Sequence, residues 1–75
     1  MANTNETVHL RKRQRTHGGY SLYLDIYANG RRNYEYLKLY LVPENSRADK
    51  LKNQETMRLA EAVKAQRIVE IQNGR

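Results

Sequence analysis

The chain has 75 residues, enough for one small domain, and contains no cysteine, so neither a disulfide nor a thiolate metal site can support its core. Its net charge of +6 at pH 7 favours a nucleic acid, an acidic protein or an anionic membrane as partner, in that order. No apolar run approaches a membrane span, no signal peptide begins the chain, and its two histidines lack metal-ligand spacing. We therefore expect a cytoplasmic protein with no cofactor, metal, membrane partner or small-molecule substrate.

A short polar segment begins the chain and precedes a strand and a turn. Residues 1–6 are expected to be a disordered lead-in, and the domain itself is expected to cover residues 7–75. From Val8 to Arg13 apolar and polar side chains alternate, which indicates a first strand. Gln14–Gly19 is predicted to be a turn, because its two glycines can adopt positive φ angles.

Asn29-Gly30 is the strongest local signal in the chain, because this dipeptide favours a tight type I′ β-hairpin turn. It lies between two alternating runs, Tyr20–Ala28 and Arg31–Leu41, which are predicted to be the second and third strands. A two-residue turn sets the register of the hairpin. The expected pairs are Tyr20 with Leu39, Ser21 with Lys38, Leu22 with Leu37, Tyr23 with Tyr36, Asp25 with Tyr34 and Tyr27 with Arg32.

A helix is predicted to follow the third strand. Pro43 ends that strand, since proline cannot donate to a β-ladder. The run Gln54–Gln72 consists almost entirely of good helix formers. The start of the helix stays open between residues 45 and 54, because Ser46 with Asp49 could cap one start and Asn53 could cap a later one.

Side-chain alternation gives the predicted sheet two different sides. One side carries aliphatic residues that a lone sheet cannot leave in water, so the helix is expected to cover it. The predicted fold is therefore α+β, a three-stranded antiparallel β-sheet (a meander) packed on one C-terminal α-helix. Asn33 and Glu35 conflict with this pattern, because they fall on the apolar side opposite Ile26 and Leu24. Either the helix does not reach that end of the hairpin, or a bulge redirects the strand.

The open side of the sheet combines tyrosine with basic residues, which is typical of a surface that contacts a polyanion. Its members are His9, Arg11, Arg13, Ser21, Tyr23, Asp25, Tyr27, Arg32, Tyr34, Tyr36, Lys38 and Tyr40. Three interpretations stay open: contact with nucleic acid, which we favour, stabilisation of the sheet by cross-strand pairs, and a protein interface. The run from Arg11 to Arg15 is the densest charge in the chain and is expected to hold phosphates.

Catalysis finds little support in the residues. No spacing in the sequence predicts a general base next to a nucleophile among the candidate residues His9, His17, Ser21 and Asp25. The chain also has no phosphate-binding loop motif. We therefore expect a binding module and not an enzyme.

Three stretches together resemble the N-terminal arm-type DNA-binding domain of tyrosine recombinases: SLYLDIYANGRRNYEYLKLYL over Ser21–Leu41, LAEAV over Leu59–Val63 and RIVEI over Arg67–Ile71. The likeness is to phage and conjugative-transposon integrases of the Bacteroides type. It implies a sheet, packed on a C-terminal helix, that lies in the major groove of arm sites flanking the recombination core. It also implies that the chain is a non-catalytic fragment of a larger integrase, whose other domains and subunits are further partners.

The residues and the resemblance together predict sequence-specific binding of double-stranded DNA, which anchors an integrase to arm sites. Tyr23, Arg32, Tyr34 and Tyr36 are expected in the groove, and Tyr27 belongs to the same surface. Arg11, Lys12, Arg13, Arg15 and Lys38 are expected on phosphates. One alternative is a protein interface on the same tyrosine-rich surface. Another is an RNA or single-strand binder, which ranks last because the chain has no Phe or Trp to stack on bases.

Overall fold

The computed structural model describes residues 6–73, which form three strands followed by one helix. The strands are β1 (Thr7–Gln14), β2 (Tyr20–Ala28) and β3 (Arg31–Leu41), and the helix is α1 (Arg47–Asn73). Both strand pairs are antiparallel and the order in the sheet is β1-β2-β3, so the predicted α+β meander is confirmed. Within the described range, α1 is too polar along its length to cross a membrane.

The turn between β2 and β3 has the geometry that the sequence predicts. Asn29 has a φ of 55° and Gly30 a φ of 76°, and two successive positive φ angles define a type I′ turn. The turn between β1 and β2 is closed by the amide of Arg15, which donates to the carbonyl oxygen of Gly19 over 3.0 Å. Gly19 has a φ of 76°, and a Cβ there would collide with the carbonyl oxygen of Leu41 at the end of β3.

The register of the β2–β3 hairpin follows the prediction only in the half next to its turn. Tyr23 pairs with Tyr36, Asp25 with Tyr34 and Tyr27 with Arg32, as expected, whereas Ser21 pairs with Tyr40 and Tyr20 with Leu41. The expected partners Lys38 for Ser21 and Leu39 for Tyr20 are therefore wrong, and Leu22, expected opposite Leu37, lies where the register is interrupted.

A bulge causes this change of register. One residue of β2, Leu22, faces three residues of β3, the segment Leu37–Leu39. At its centre Lys38 has a φ of 58°, a left-handed conformation that is uncommon outside glycine and asparagine. Because the shift amounts to two residues, each side chain beyond the bulge keeps its side of the sheet. The predicted faces therefore survive although the predicted partners change.

The core lies between the sheet and α1. Leu22 and Leu24 of β2 and Ala60 of α1 are buried. Helix residues with reduced exposure recur every three or four positions, as expected for a helix that lies along a sheet. They are Asp49, Asn53, Thr56, Met57, Ala60, Val63, Lys64, Arg67, Ile68 and Ile71.

The helix begins at the earlier of the two predicted starts. The Ser46 side chain caps it, because Ser46 Oγ accepts a hydrogen bond from the amide of Asp49 over 3.2 Å. The prediction that Asn53 caps a later start is wrong, since Asn53 lies inside α1 and is buried. Its amide side chain holds the connection after β3, accepting from the amide of Val42 over 2.9 Å and donating to the carbonyl oxygen of Val42 over 2.8 Å.

Glu35 lies on the apolar side for a reason that neither sequence interpretation anticipates. The helix reaches it, and the bulge lies further along β3. Arg67 Nε donates to Glu35 Oε1 over 2.7 Å and Arg67 Nη2 to Glu35 Oε2 over 2.6 Å, so the two side chains form a bidentate pair. These hydrogen bonds hold the pKa of the Glu35 carboxyl below its ordinary value. Asn33, two residues nearer the turn, is exposed.

Candidate nucleic-acid interface

The side of the sheet that faces away from α1 carries the predicted binding residues. We call it the outer face. Leu22 and Leu24 point towards the helix, so alternation places their neighbours Tyr23 and Asp25 on the opposite side. The outer face consists of His9, Arg11, Arg13, Ser21, Tyr23, Asp25, Tyr27, Arg32, Tyr34, Tyr36 and Tyr40, and Lys38 lies exposed in the bulge of β3. The prediction that Tyr23 and Tyr36 share the open side is confirmed.

Three tyrosines form a contiguous group, the tyrosine cluster, in the middle of this face. The ring of Tyr23 lies 5.3 Å from that of Tyr36 and 6.0 Å from that of Tyr34, the second contact being edge to face. Such ring pairs stabilise a sheet by about 0.5–1.5 kcal/mol each. Tyr34 and Tyr36 nevertheless remain 54% and 53% exposed. Tyr34 and Tyr36 therefore present their phenol rings to solvent, and both rings pack against Tyr23.

Asp25 lies beside the tyrosine cluster and is buried, although it belongs to the outer face. Its Oδ2 accepts a hydrogen bond from Arg11 Nε over 2.8 Å, and its Oδ1 lies 3.5 Å from Arg32 Nε. Arg11 belongs to β1 and Arg32 to β3, so this one carboxylate of the middle strand joins a cation from each outer strand. Both arginines keep much of their side chains in solvent.

The outer face continues into the turn between β1 and β2. The guanidinium of Arg15 lies 4.4 Å from the centre of the Tyr40 ring, a cation–π contact that places the turn over the end of β3. A shallow concavity of about 440 Å³ opens here, and its lining includes Arg13, Thr16, His17, Tyr36 and Tyr40. Basic and aromatic groups therefore extend beyond the strands to the turn.

Lys12 is the one predicted site residue that the structure separates from the others. It pairs with Leu22, so its side chain emerges on the side of the sheet that α1 covers. Its Nζ lies 4.4 Å from the centre of the Tyr20 ring, which belongs to the same side. Lys12 thus adds positive charge to the helix side of the sheet and not to the outer face.

Of the other nine predicted site residues, eight lie on the outer face or on the adjoining turn, and Lys38 lies in the bulge of β3. Arg11, Arg13, Tyr23, Tyr27, Arg32, Tyr34, Tyr36 and Lys38 are on strands, and Arg15 is on the turn. Asp25 and Tyr40 were predicted on this face by alternation but were given no DNA-binding role, yet each contacts a predicted site residue. These contacts join residues that lie far apart in the sequence, so alternation does not report them. Within residues 6–73 no three His, Cys, Asp or Glu side chains gather as metal ligands.

Comparison with known proteins agrees with this arrangement. A family model described as "Arm DNA-binding domain" matches residues 8–73, which include all of the three strands and the helix except Thr7, the first residue of β1. No curated protein and no solved structure matches the chain. Because the family model covers most of its length, the chain belongs to the Arm DNA-binding domain family, a family of non-catalytic DNA-binding domains.

Proposed function

We propose that the chain binds double-stranded DNA in a sequence-specific way through its outer face, and thereby anchors a site-specific integrase, a tyrosine recombinase, to arm sites during DNA integration. The observation that carries this proposal is the exposed tyrosine cluster, flanked on one surface by Arg11, Arg13 and Arg32. The family of the chain supports DNA as the partner.

The dimensions of the sheet suit the major groove of B-DNA. Neighbouring strands lie about 4.8 Å apart, so the backbones of three strands span about 10 Å. The major groove is about 12 Å wide and admits small β-structures. Because α1 covers the opposite side of the sheet, the outer face is the side that can enter the groove.

The proposed roles follow from position on the outer face. The tyrosine cluster lies centrally and would face the base edges, as would Arg32 and Tyr27, which pair with each other next to the turn between β2 and β3. Phosphates of the groove walls would be held by Arg13 and Arg15, which lie at the turn between β1 and β2, and by Lys38, which lies in the bulge. We propose no groove contact for Lys12, since its side chain lies on the helix side.

The parent protein is proposed to be a bacterial integrase whose remaining domains carry the chemistry. The chain itself would supply both affinity for DNA and selection of the binding site, because phosphate contacts position a protein on DNA whereas base contacts select the site. This role needs no cofactor, and it places the protein on DNA in the cytoplasm.

Titration of isotope-labelled protein with duplex DNA at low salt tests the outer-face proposal residue by residue. We expect chemical-shift changes at Tyr23, Tyr34 and Tyr36, and none at exposed positions of α1 such as Lys52. If the helix positions shift while the outer face stays unchanged, the proposed surface is wrong.

Two arginine variants provide a matched test of the phosphate contacts. Arg13→Ala removes a charge from the outer face, and Arg58→Ala removes one from an exposed position of α1 where it pairs with Glu55. Each lost phosphate contact should lower the slope of log Kd against log salt by about 0.9. We expect this change for the Arg13 variant only. Equal slopes for both variants would show that general charge, and not the outer face, determines binding.

A protein interface on the same surface is the second candidate, favoured by the exposure of Tyr34 and Tyr36 above one half. It predicts self-association or binding to an accessory factor. Concentration-dependent sedimentation, abolished by the double change Tyr34→Ala and Tyr36→Ala with DNA affinity intact, would select it over the first proposal.

A further inference from the structure

The carboxylate of Asp25 occupies an unusual position for a surface that meets DNA. Its side chain is only 9% exposed, whereas those of Arg11 and Arg32 are 49% and 60% exposed. A negative charge in the middle of such a surface repels phosphates and lowers affinity for any duplex. Its presence is therefore better explained by an effect on the two arginines than by a direct contribution to attraction.

Both arginines approach Asp25 through the same atom. Arg11 Nε donates a hydrogen bond to Oδ2 over 2.8 Å, and Arg32 Nε lies 3.5 Å from Oδ1 in a longer ion pair, so in each guanidinium the inner nitrogen is the one that faces the carboxylate. A guanidinium is planar and carries its donors in a fixed fork. When Nε is directed inward at the sheet, the edge formed by Nη1 and Nη2 lies at the outer end of the side chain.

That outer edge is the part of arginine that reads guanine. Guanine presents two acceptors in the major groove, O6 and N7, and a bidentate arginine is the commonest specific contact to them. A free arginine loses much of its rotamer freedom when it makes such a contact. Because Asp25 already restrains Arg11 and Arg32, part of that entropy is lost before DNA binds, and binding is correspondingly favoured.

We infer that Asp25 is a positioning residue that sets Arg11 and Arg32, one from each side of the central strand, for end-on recognition of guanine in the major groove. This inference rests on the proposed function and goes beyond it, because it states which bases the site contains. It assigns Arg11 to a base edge in place of the phosphate contact that the sequence suggested.

The test begins with duplexes selected from a random-sequence pool by the wild-type chain. The ratio of Kd for an unrelated duplex to Kd for a selected duplex then measures specificity. Asp25→Asn keeps the shape of the side chain but removes its charge. We expect the ratio to fall about tenfold or more, which is the size of one bidentate base contact. Affinity for the unrelated duplex should stay equal or increase.

Glu35→Gln is the matched control, because it also removes one carboxylate that holds an arginine, but on the helix side of the sheet. It changes the net charge equally, and we expect it to leave the specificity ratio unchanged. Replacing guanine by 7-deazaguanine in the selected duplex removes N7 and supplies a direct readout of the base contact. It should weaken the wild type much more than Arg11→Lys or Arg32→Lys, which keep the charge but lose the fork.

The outcomes separate this inference from the proposed function. If the wild type selects no duplex at all, the proposed function is wrong and the inference is wrong with it. If the wild type selects guanine-containing duplexes and Asp25→Asn retains the full specificity ratio, only the inference is overturned. The two lysine variants decide the matter if Asp25→Asn does not fold, since an unchanged response to 7-deazaguanine in both would also contradict it.

Discussion

Asn53 offers the sharpest test of how the helix is joined to the sheet. Its side chain is buried and makes three hydrogen bonds to the segment after β3: two to the backbone of Val42 and one, over 3.0 Å, to Glu44 Oε2. Asn53→Ala leaves the amide and the carbonyl of Val42 without these partners. We therefore expect a loss of folding stability although no apolar contact of the core is removed.

The size of the loss follows from the bonds. Each contributes about 0.5–1.5 kcal/mol net, and alanine returns a few tenths through its higher helix propensity, so the expected change in the free energy of unfolding is about 2 kcal/mol. For a domain of this size about 1 kcal/mol shifts Tm by about 4–8 °C, so thermal unfolding followed by circular dichroism should show a decrease of about 8–16 °C.

Gln54→Ala is the control, because Gln54 is the next residue of α1 and is exposed. It should unfold within about 2 °C of the wild type. Asn53→Asp keeps the shape but replaces the donor that faces the Val42 carbonyl and Glu44 by an acceptor, so it should cost more than alanine at neutral pH. An Asn53→Ala protein as stable as Gln54→Ala would refute this account of the helix attachment.

Three further changes probe the turn between β1 and β2, the partly buried ion pair of Glu35 with Arg67, and the bulge. Gly19→Ala should lower Tm by at least about 8 °C in a thermal melt, because a Cβ collides with the carbonyl oxygen of Leu41 and φ is positive; an unchanged Tm would contradict the packing of that turn. Glu35→Gln should cost about 1 kcal/mol in denaturant unfolding at about pH 7. Arg67 lowers the pKa of Glu35 in the folded state, so the stabilisation is present above the unfolded pKa and is lost as pH falls through the folded pKa. The gap between wild type and variant should therefore narrow as the pH is lowered below the ordinary pKa range of glutamate, and a constant gap would show that the charge is irrelevant. Lys38→Gly should be neutral or stabilising by up to about 1 kcal/mol, whereas Lys38→Val should destabilise by more than that, because only glycine adopts the left-handed conformation freely; equal stabilities would argue against the bulge.

Much of the candidate site was predictable from local signals. Asn29-Gly30 sets the turn, and strict alternation along β2 and β3 sorts side chains between two faces. These signals placed Tyr23 opposite Tyr36 because the register is reliable close to a tight turn. The bulge at Leu37–Leu39 shifts the register by two residues, so the paired residues on either side of it keep the faces that alternation predicts.

The amino-acid sequence by itself therefore determined the order of the elements, the type of the turn between β2 and β3 and the two faces of the sheet, since these depend on neighbours a few residues apart. Tertiary structure alone decided the rest. Glu35 meets Arg67 across 32 positions, and Asp25 meets Arg11 across 14. No periodic pattern reports such partners, because they depend on where the helix crosses the sheet and on how three strands bring distant side chains together. In the sequence, neither Glu35 nor Asp25 fits the residue type of its face, and only the folded chain shows that each is paired with an arginine.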